Sequence, residues 1–411
     1  MASKVLVIGG GAAGLLAAGF AAQNGAQVSL LERNNILGKK IRITGKGRCN
    51  ITNACELSEF INNYPGNGKF LYSALYQFSN YDVINFFHSL GVQTKEERGR
   101  RIFPVSDDAD QVADALVKFV KQQQVQICLN TLVENVLVNQ NRSFKVVTNR
   151  GNFVADRVII ATGGLSYPKT GSTGDGYQFA KQLGHNIVTP FPALVALRTK
   201  ETWVKELSGL TLRNVTVSVT NGKEIHQEFG EMQFAHFGLT GPTILTLSRQ
   251  AAIWLNAGAQ VDLTIDLKPA LDEKTLDLRL QRDFQKYSRK QFKNGLIDLL
   301  PSSLIPVIIE LSKISPELPI NQITKEARIK LVSLLKALPF SITKTLPTST
   351  AIVTAGGVDV GEINPKTMES KLIPGLYFAG EVIDIDGVTG GFNLQAAFST
   401  GYLAGINASK V

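Results

Sequence analysis

The sequence predicts an α/β protein built around a doubly wound parallel sheet, and three observations carry that expectation. Lys4-Val-Leu-Val-Ile8 is a short apolar run that passes directly into Gly9-Gly-Gly-Ala-Ala-Gly14. Leu15 to Ala22 then carries strong helix formers, and Val28-Ser-Leu-Leu31 is a second apolar run ending in Glu32. Strand, glycine turn, helix and strand in that order make one βαβ unit. Two later runs, Val158-Ile-Ile-Ala-Thr-Gly-Gly164 and Gly375-Leu-Tyr-Phe-Ala-Gly-Glu381, repeat the form of an apolar strand leading into a turn of small residues. Strands of this kind end beside the first turn when a ligand lies across a doubly wound sheet.

In the first turn each glycine has a task. Gly9 permits the tight bend, Gly11 lets the backbone approach a pyrophosphate, and Gly14 lets the helix pack close to the strand. The helix start offers free N–H groups and the positive end of a dipole to the phosphates. Glu32, eighteen residues after Gly14, is placed to accept both ribose hydroxyls and would repel a 2′-phosphate. An adenosine dinucleotide of the FAD or NAD type is therefore expected, in a Rossmann-like domain. No second G-x-G-x-x-G follows, so a separate nicotinamide domain is not expected. Instead come Leu37-Gly-Lys-Lys-Ile-Arg-Ile-Thr-Gly-Lys-Gly-Arg-Cys-Asn50 with Ile51-Thr52-Asn53, and near the end Gly390-Gly-Phe-Asn-Leu-Gln395 opening a helix over Ala396 to Ala404. A glycine-led helix start can direct N–H groups at a flavin carbonyl, which favours FAD.

Composition bounds the alternatives. A chain of 411 residues, 44% hydrophobic and 19% charged, is ordinary globular chemistry and long enough for two or three domains. Its 37 glycines follow no G-X-Y period, which excludes collagen. The net charge of +9 favours anionic partners without choosing among cofactor phosphates, nucleic acid and acidic lipid. Cys49, Cys55 and Cys128 form no C-x-x-C pair, so neither a disulfide framework nor a metal site is expected, and a reducing cytoplasm fits. Val5 to Ala22 has the length of a leader or membrane span, but Gly9 to Gly11 would break a membrane helix. Buried strand, turn and helix are expected there, with no membrane partner.

With these blocks in view, the sequence resembles the BaiN/RdsA (YhiN-like) NAD(P)/FAD-dependent oxidoreductases, within the glutathione-reductase-like flavoproteins. The blocks are the Gly9 to Gly14 turn with Glu32-Arg33, the Gly38 to Asn53 loop, Ala161 to Tyr177, His236-Phe-Gly-Leu-Thr-Gly-Pro242, and Phe378 to Gln395. They span nearly the whole chain. The resemblance implies a discontinuous fold: a Rossmann-like FAD-binding domain of residues 1–189 and 347–411, an inserted β-barrel-like domain of 190–268 and 337–346, and an inserted helical domain of 269–336. The residues agree: Pro190-Phe-Pro192 marks a break, and Val215 to Val219 and Val261 to Leu267 alternate like strands. Leu276 to Leu300 and Ile305 to Leu338 read as helices interrupted by Pro301, Pro306, Pro316 and Pro319. Thr354-Ala-Gly-Gly-Val358 returns to the small-residue style of the first domain.

For cofactor contact the candidates are Gly9, Gly11, Ala12, Ala13, Gly14 and Glu32 at the first turn, then Lys39, Gly45, Gly47, Asn50 and Thr52 in the loop. Ala161, Thr162, Gly163 and Gly380 join them at the later strand ends. Related flavoproteins suggest Arg33 and Lys40 beside the adenosine, with a solvated surface as the plain alternative, and Val133 meeting adenine through its backbone, with simple core packing as the alternative. Glu381 and the Gly391-Phe392-Asn393-Leu394 backbone are assigned to the ribitol and ring side, because a buried acid at a strand end needs partners. The FAD is expected to be noncovalent, with NAD(P)H docking transiently as electron donor.

Reduction of an electron-poor C=C bond needs hydride at one carbon and a general acid at the next. Cys49, Tyr167 and His236 are the titratable candidates in the family blocks. Cys49, between Arg48 and Asn50 in a basic loop, would favour thiolate; a small buried residue is the alternative. For His236 a structural hydrogen bond competes with a catalytic role.

Activities attached to the family are dihydrouridine formation in ribosomal RNA and reduction of enone-type bile acid intermediates. Basic residues cluster at Lys39, Lys40, Arg42, Lys46 and Arg48, at Lys95, Arg98, Arg100 and Arg101, and at Arg279, Arg282, Lys286, Arg289, Lys290 and Lys293, the last set against a single acid, Asp283. Most of that last set is expected on one helix face, as an RNA-tracking surface or a solvated face. With net +9 this favours rRNA as substrate partner; a small enone is the alternative, and an RNA-binding assembly factor with structural FAD is a third reading.

Overall fold

In the computed structural model, which describes residues 2–410, the chain divides into two compact units: the residues up to Pro192 together with those from Thr348 onward, and Ala193–Pro347. The first unit opens with β1 (Lys4–Ile8), α1 (Ala12–Gln23) and β2 (Gln27–Leu31). It continues through α2 (Ala109–Gln122), β3 (Gln126–Cys128), β4 (Arg157–Ile160) and α3 (Asp175–Gln182). Val5, Leu6, Val7 and Ile8 are all buried. A parallel strand is covered on both faces, which is why this run is apolar throughout rather than alternating. Pro190 and Pro192 lie in a strand, Ile187–Ala193, that ends at the boundary between the units.

The second unit is a closed barrel with helices. Its elements are β5 (Leu197–Thr199), β6 (Thr211–Thr220), β7 (Ile225–Ala235), β8 (Gly238–Thr240), α4 (Pro242–Asn256) and β9 (Val261–Asp266). After these come α5 (Glu273–Lys286), α6 (Ile305–Ser312), α7 (Lys325–Lys336) and β10 (Leu338–Thr345). The strands close in the order β5-β8-β7-β6-β9-β10, every neighbour antiparallel. Val261, Leu263 and Ile265 alternate inward from β9, the pattern of a strand with one face in a core. The chain leaves the barrel after Asp266 and returns at Leu338; between them Leu276, Leu280, Leu331 and Leu335 join the same apolar core as the strands.

One expectation fails here. The helix expected over Leu276 to Leu300 stops at Lys286. Beyond it Phe292 is buried and donates its N–H to Leu318 O at 2.9 Å, while Ile320 N bonds Lys290 O at 3.0 Å. Pairing with the 316–320 segment overrides local helix propensity, so Arg289, Lys290 and Lys293 leave the face that carries Arg279, Arg282 and Lys286.

The last segment returns to the first unit as β11 (Val353–Val358), β12 (Leu376–Phe378) and α8 (Phe392–Ala408). The main sheet has the order β12-β4-β1-β2-β3 and is parallel throughout. Strand order reverses at β1, which has β2 on one side and β4 on the other; this is the topological switch point where ligands of such sheets bind. α8 packs on α1 through its small residues: a Cβ on Gly401 would stand 2.3 Å from Ala13 O, and one on Gly405 2.5 Å from Ala17 O. Among the described residues no helix is long and apolar enough to cross a membrane.

Candidate functional site

The glycine turn sits at the carboxyl end of β1. A Cβ on Gly14 would stand 1.8 Å from Gly9 O, and one on Gly9, at φ +104°, 2.5 Å from Ala161 O, so only glycine fits at either place. Gly11 differs: no heavy atom lies within 4 Å of where its Cβ would be. It faces open space. Gly11 is also the N-cap of α1, which has no side-chain cap and no acid in its first turn, so the N–H groups of Ala12 and Ala13 and the dipole are left for an external anion.

Around this turn the chain is tied together by hydrogen bonds. Glu32, at the end of β2, is buried; its Oε2 accepts Gly10 N at 2.7 Å and its Oε1 accepts Asn34 N at 2.8 Å. Gly38 N donates to Gly10 O at 2.8 Å, anchoring the short helix Lys39–Ile43. Lys39 Nζ lies 3.3 Å from Asn34 Oδ1, and Arg33 bonds Thr173 and, at 2.6 Å, Asp175. At the end of β4, Ala161 N bonds Ile8 O at 2.9 Å, and Gly163 adopts φ +74°. The Thr162 side chain packs on Gly176 of α3, and its hydroxyl is buried without a partner. Val133 is buried and opens the strand Val133–Val138.

Loop and C-terminal helix meet directly. Gly391, at φ +100°, is the uncapped N-cap of α8, and a Cβ there would stand 2.4 Å from Thr52 O. Thr52 is buried and donates its hydroxyl to Gln395 Oε1 at 2.6 Å. Asn53 Nδ2 spans Gly99 O at 3.0 Å and Gly390 O at 3.1 Å. Phe392 is buried against Phe60, and Asn393 spends its amide on Gly387 and Val388. The side chains of Thr52, Phe392 and Asn393 are thus structural, which leaves the backbone of Gly391 to Leu394 as the part that can face a ligand. In the loop, Gly45 and Gly47 take φ +62° and +83°, and Asn50 Oδ1 is buried with no partner.

Four sequence expectations need correction. Lys40, expected near the adenosine, donates from Nζ to Glu381 Oε2 at 2.6 Å and to Ser166 Oγ at 2.6 Å, so it stands beside the residue assigned to the opposite end of the cofactor. Cys49 is fully buried, and burial pushes its thiol up to about 12, so it is no thiolate. His236 is exposed on the β7–β8 connection of the second unit, edge-on to Phe237 at 4.9 Å, rather than held in a buried hydrogen bond. The basic loop is compensated by acids distant in sequence: Arg42 meets Asp110 and Asp114 at 2.7 and 2.6 Å, and Arg48 meets Glu97 and, at 2.6 Å, Asp107. Lys95 joins Asp107 at 2.7 Å, Lys286 joins Asp298 at 2.7 Å and Lys293 joins Glu317 at 3.0 Å.

Glu381 also gathers residues that sequence reasoning did not single out. Its Oε1 accepts Ser166 Oγ at 2.7 Å and Thr354 N at 2.8 Å. Burial alone would push this carboxyl up, but the Lys40 charge and the hydrogen bonds from Lys40, Ser166 and Thr354 outweigh it and hold it below the usual range. Tyr177 approaches the Glu381 carbonyl at 3.4 Å, and burial pushes its phenol far up. The ring of Tyr167, which has φ +52°, lies 6.0 Å from Lys40 Nζ. Ser166 and Tyr177 fall inside the Ala161 to Tyr177 block, so its small and hydroxyl residues were the available signal.

A doubly wound parallel sheet with a glycine turn at its switch point defines a Rossmann-type dinucleotide-binding protein. The chain belongs to the HI0933-like family: the profile described as HI0933-like protein Rossmann domain matches residues 3–407. It is 34% identical over 411 residues to a 3-dehydro-bile acid delta(4,6)-reductase of Clostridium scindens, covering 99% of each chain. It is 32% identical over 414 residues to a ribosomal RNA dihydrouridine synthase of Haemophilus influenzae, again covering 99% of each. Among solved structures, the 3-ketosteroid-delta4-(5alpha)-dehydrogenase of Rhodococcus jostii shares the fold, with a TM-score of 0.51 at 17% identity over 100% of this chain and 97% of that one. With a full-length reductase and a full-length synthase as relatives, the protein is an oxidoreductase.

Proposed function

We propose that the protein is an FAD-dependent reductase that takes electrons from NAD(P)H and reduces a conjugated C=C bond, with uridine in ribosomal RNA as its substrate and dihydrouridine as product. The observation that carries the cofactor is the pair of packed helices α1 and α8, each beginning at a glycine with no side-chain cap and no acid in its first turn. Open space at Gly11 fits a ligand lying over the turn, and the buried, orphaned Asn50 Oδ1 fits a polar partner at the loop.

In this reading Gly9, Gly11, Ala12, Ala13 and Gly14 hold the phosphates, and Glu32 accepts from the ribose at Oε2, which Gly10 N leaves half open, while Asn34 N and Nδ2 both occupy Oε1. Ala161, Gly163, Gly380 and the Gly391–Leu394 backbone follow the cofactor toward its ring. Bound there, FAD would supply the hydride chemistry of C=C reduction. Of the three candidate acids, Tyr167 is retained: it stands beside Lys40 in the first unit, whereas Cys49 is buried and protonated.

Support for the RNA substrate is the net charge of +9 and the relatives named ribosomal RNA dihydrouridine synthase in Haemophilus influenzae and in Escherichia coli, the latter 32% identical over 401 residues. Such a substrate would be met in the cytoplasm, with the target base exposed. A small conjugated enone is the second reading, and the ion pairs that compensate Arg42, Arg48, Lys95 and Lys286 favour it, because they reduce the free positive charge on which RNA binding draws.

Mass spectrometry of rRNA nucleosides from cells with and without the gene tests the proposal. A dihydrouridine that depends on the gene and returns with wild-type protein but not with Gly11→Asp is the expected result. Unchanged nucleosides would remove the RNA substrate. Anaerobic mixing with NAD(P)H tests the chemistry separately: a flavin that fails to bleach would favour an assembly factor with structural FAD.

A further inference from the structure

Two charged residues meet at the glycine turn from opposite ends of the chain. Lys40 belongs to the short helix Lys39–Ile43, whose N-cap Gly38 donates to Gly10 O at 2.8 Å. Glu381 follows Gly380, which lies so close to the first turn of α1 that a Cβ on it would stand 2.8 Å from the Ala13 Cβ. Through these anchors their 2.6 Å ion pair is held near the first turn of α1, where the pyrophosphate of a dinucleotide would lead into the ribitol to which Glu381 is assigned. A carboxylate in that place is unfavourable for the ligand, since it would face two phosphate charges across a partly buried site. We infer that Lys40 is a positioning residue that acts through Glu381: it neutralises the carboxylate beside the phosphate turn, so that FAD affinity follows the summed charge of the pair rather than a direct contact from the lysine. The inference rests on the FAD reading above.

The groups around the pair make its behaviour on titration definite. Glu381 faces Lys40, the Ser166 hydroxyl and Thr354 N, with the Tyr177 hydroxyl against its carbonyl; Tyr167 faces Lys40, and Asp384, bonded by Asn67, stands three residues away. Tyr177 stays neutral over the accessible range because burial raises its phenol. Without Lys40, the half-buried carboxyl keeps its desolvation penalty and loses its cation, leaving only Ser166 and Thr354 N to oppose the penalty, so protonation of Glu381 moves to higher pH.

The test is FAD titration of the apoprotein, followed by flavin fluorescence at pH 6, 7 and 8. Lys40→Met should weaken FAD binding by about tenfold or more at pH 8, the order expected for one uncompensated charge near a phosphate. The loss should shrink toward pH 6. Adding Glu381→Gln to Lys40→Met should restore most of the affinity at pH 8, and Lys40→Arg, which keeps the charge, should bind FAD nearly as wild type does. Thermal melts of the apoproteins separate misfolding from lost affinity, and Lys40→Arg keeps the test informative if the methionine variant unfolds. A loss equal at pH 6 and pH 8 and unrelieved by Glu381→Gln would overturn the inference and make Lys40 a direct ligand. A wild-type protein that takes up no FAD at all would instead sink the cofactor reading with it.

Discussion

Glu32 Oε2 accepts the Gly10 N–H at 2.7 Å, so the acid at the end of β2 and the glycine turn after β1 are one hydrogen-bonded unit. The same side chain that would hold the ribose also fixes the turn that would hold the phosphates. Glu32→Ala should therefore damage the apoprotein as well as the site. Loss of a buried, charge-assisted hydrogen bond costs about 1.5–3 kcal/mol. A lowered unfolding midpoint of the apoprotein, together with weaker FAD retention on gel filtration, is expected; an unchanged midpoint would mean that the turn holds its shape without the acid.

Cys49 gives a pH prediction with a definite sign. Its folded thiol is raised to about 12, above the unfolded value, so the folded state keeps a proton that the unfolded state releases. The stabilising contribution is complete below about pH 9 and is lost as the pH rises toward 12, at up to about 1.4 kcal/mol per pH unit. Denaturant melts of wild type and Cys49→Ala between pH 8 and 10.5 should show the wild type losing stability faster. Iodoacetamide at pH 8 should leave Cys49 unmodified in the folded protein. Rapid alkylation there would restore it as a candidate nucleophile.

Gly391 joins the loop to the C-terminal helix with φ +100° and no room for a side chain. Gly391→Ala forces a Cβ toward Thr52 O and places an L residue in a left-handed conformation, which alone costs roughly 1–2 kcal/mol. A lower melting temperature and loss of bound flavin are expected together. Flavin content equal to wild type in the purified variant would show that this contact does not shape the site.

Salt dependence separates the surface charges. Arg48 is held by Glu97 and Asp107, whereas Arg282, Arg289 and Lys290 are exposed. If the protein engages RNA, the triple variant Arg282→Gln, Arg289→Gln, Lys290→Gln should lower affinity for an rRNA fragment and flatten its salt dependence by about 2–3 ions, roughly one for each phosphate left without its cation. Arg48→Gln should change the slope little. Equal slopes for the triple variant and wild type would place the RNA surface elsewhere.

Much of the first unit was legible because its information is local. A buried parallel strand is apolar at every position, and the turn Gly9 to Gly14 needs glycine where Cβ atoms would strike Gly9 O and Ala161 O. The alternating strands of the barrel were legible for the same reason, as at Val261, Leu263 and Ile265. What misled was charge. Lys39 to Arg48 reads as an uncompensated basic run, yet Arg42 finds Asp110 and Asp114 on α2, 68 and 72 residues further along the chain. Helix ends were misread where tertiary pairing decided them, as at Phe292 and Leu318.

The sequence by itself determined the βαβ start, the class of fold and the residues that line its glycine turn, because each depends on spacing within a few residues and on which residues lack a Cβ. Tertiary structure alone decided the electrostatic state of that site. Lys40 and Glu381 are 341 positions apart, and only the strand order that sets β12 beside β4 and β4 beside β1 brings them to 2.6 Å. Burial at Cys49 likewise turned an apparent thiolate into a protonated thiol. Charge acts through space and through the local dielectric, and neither is written in the order of residues.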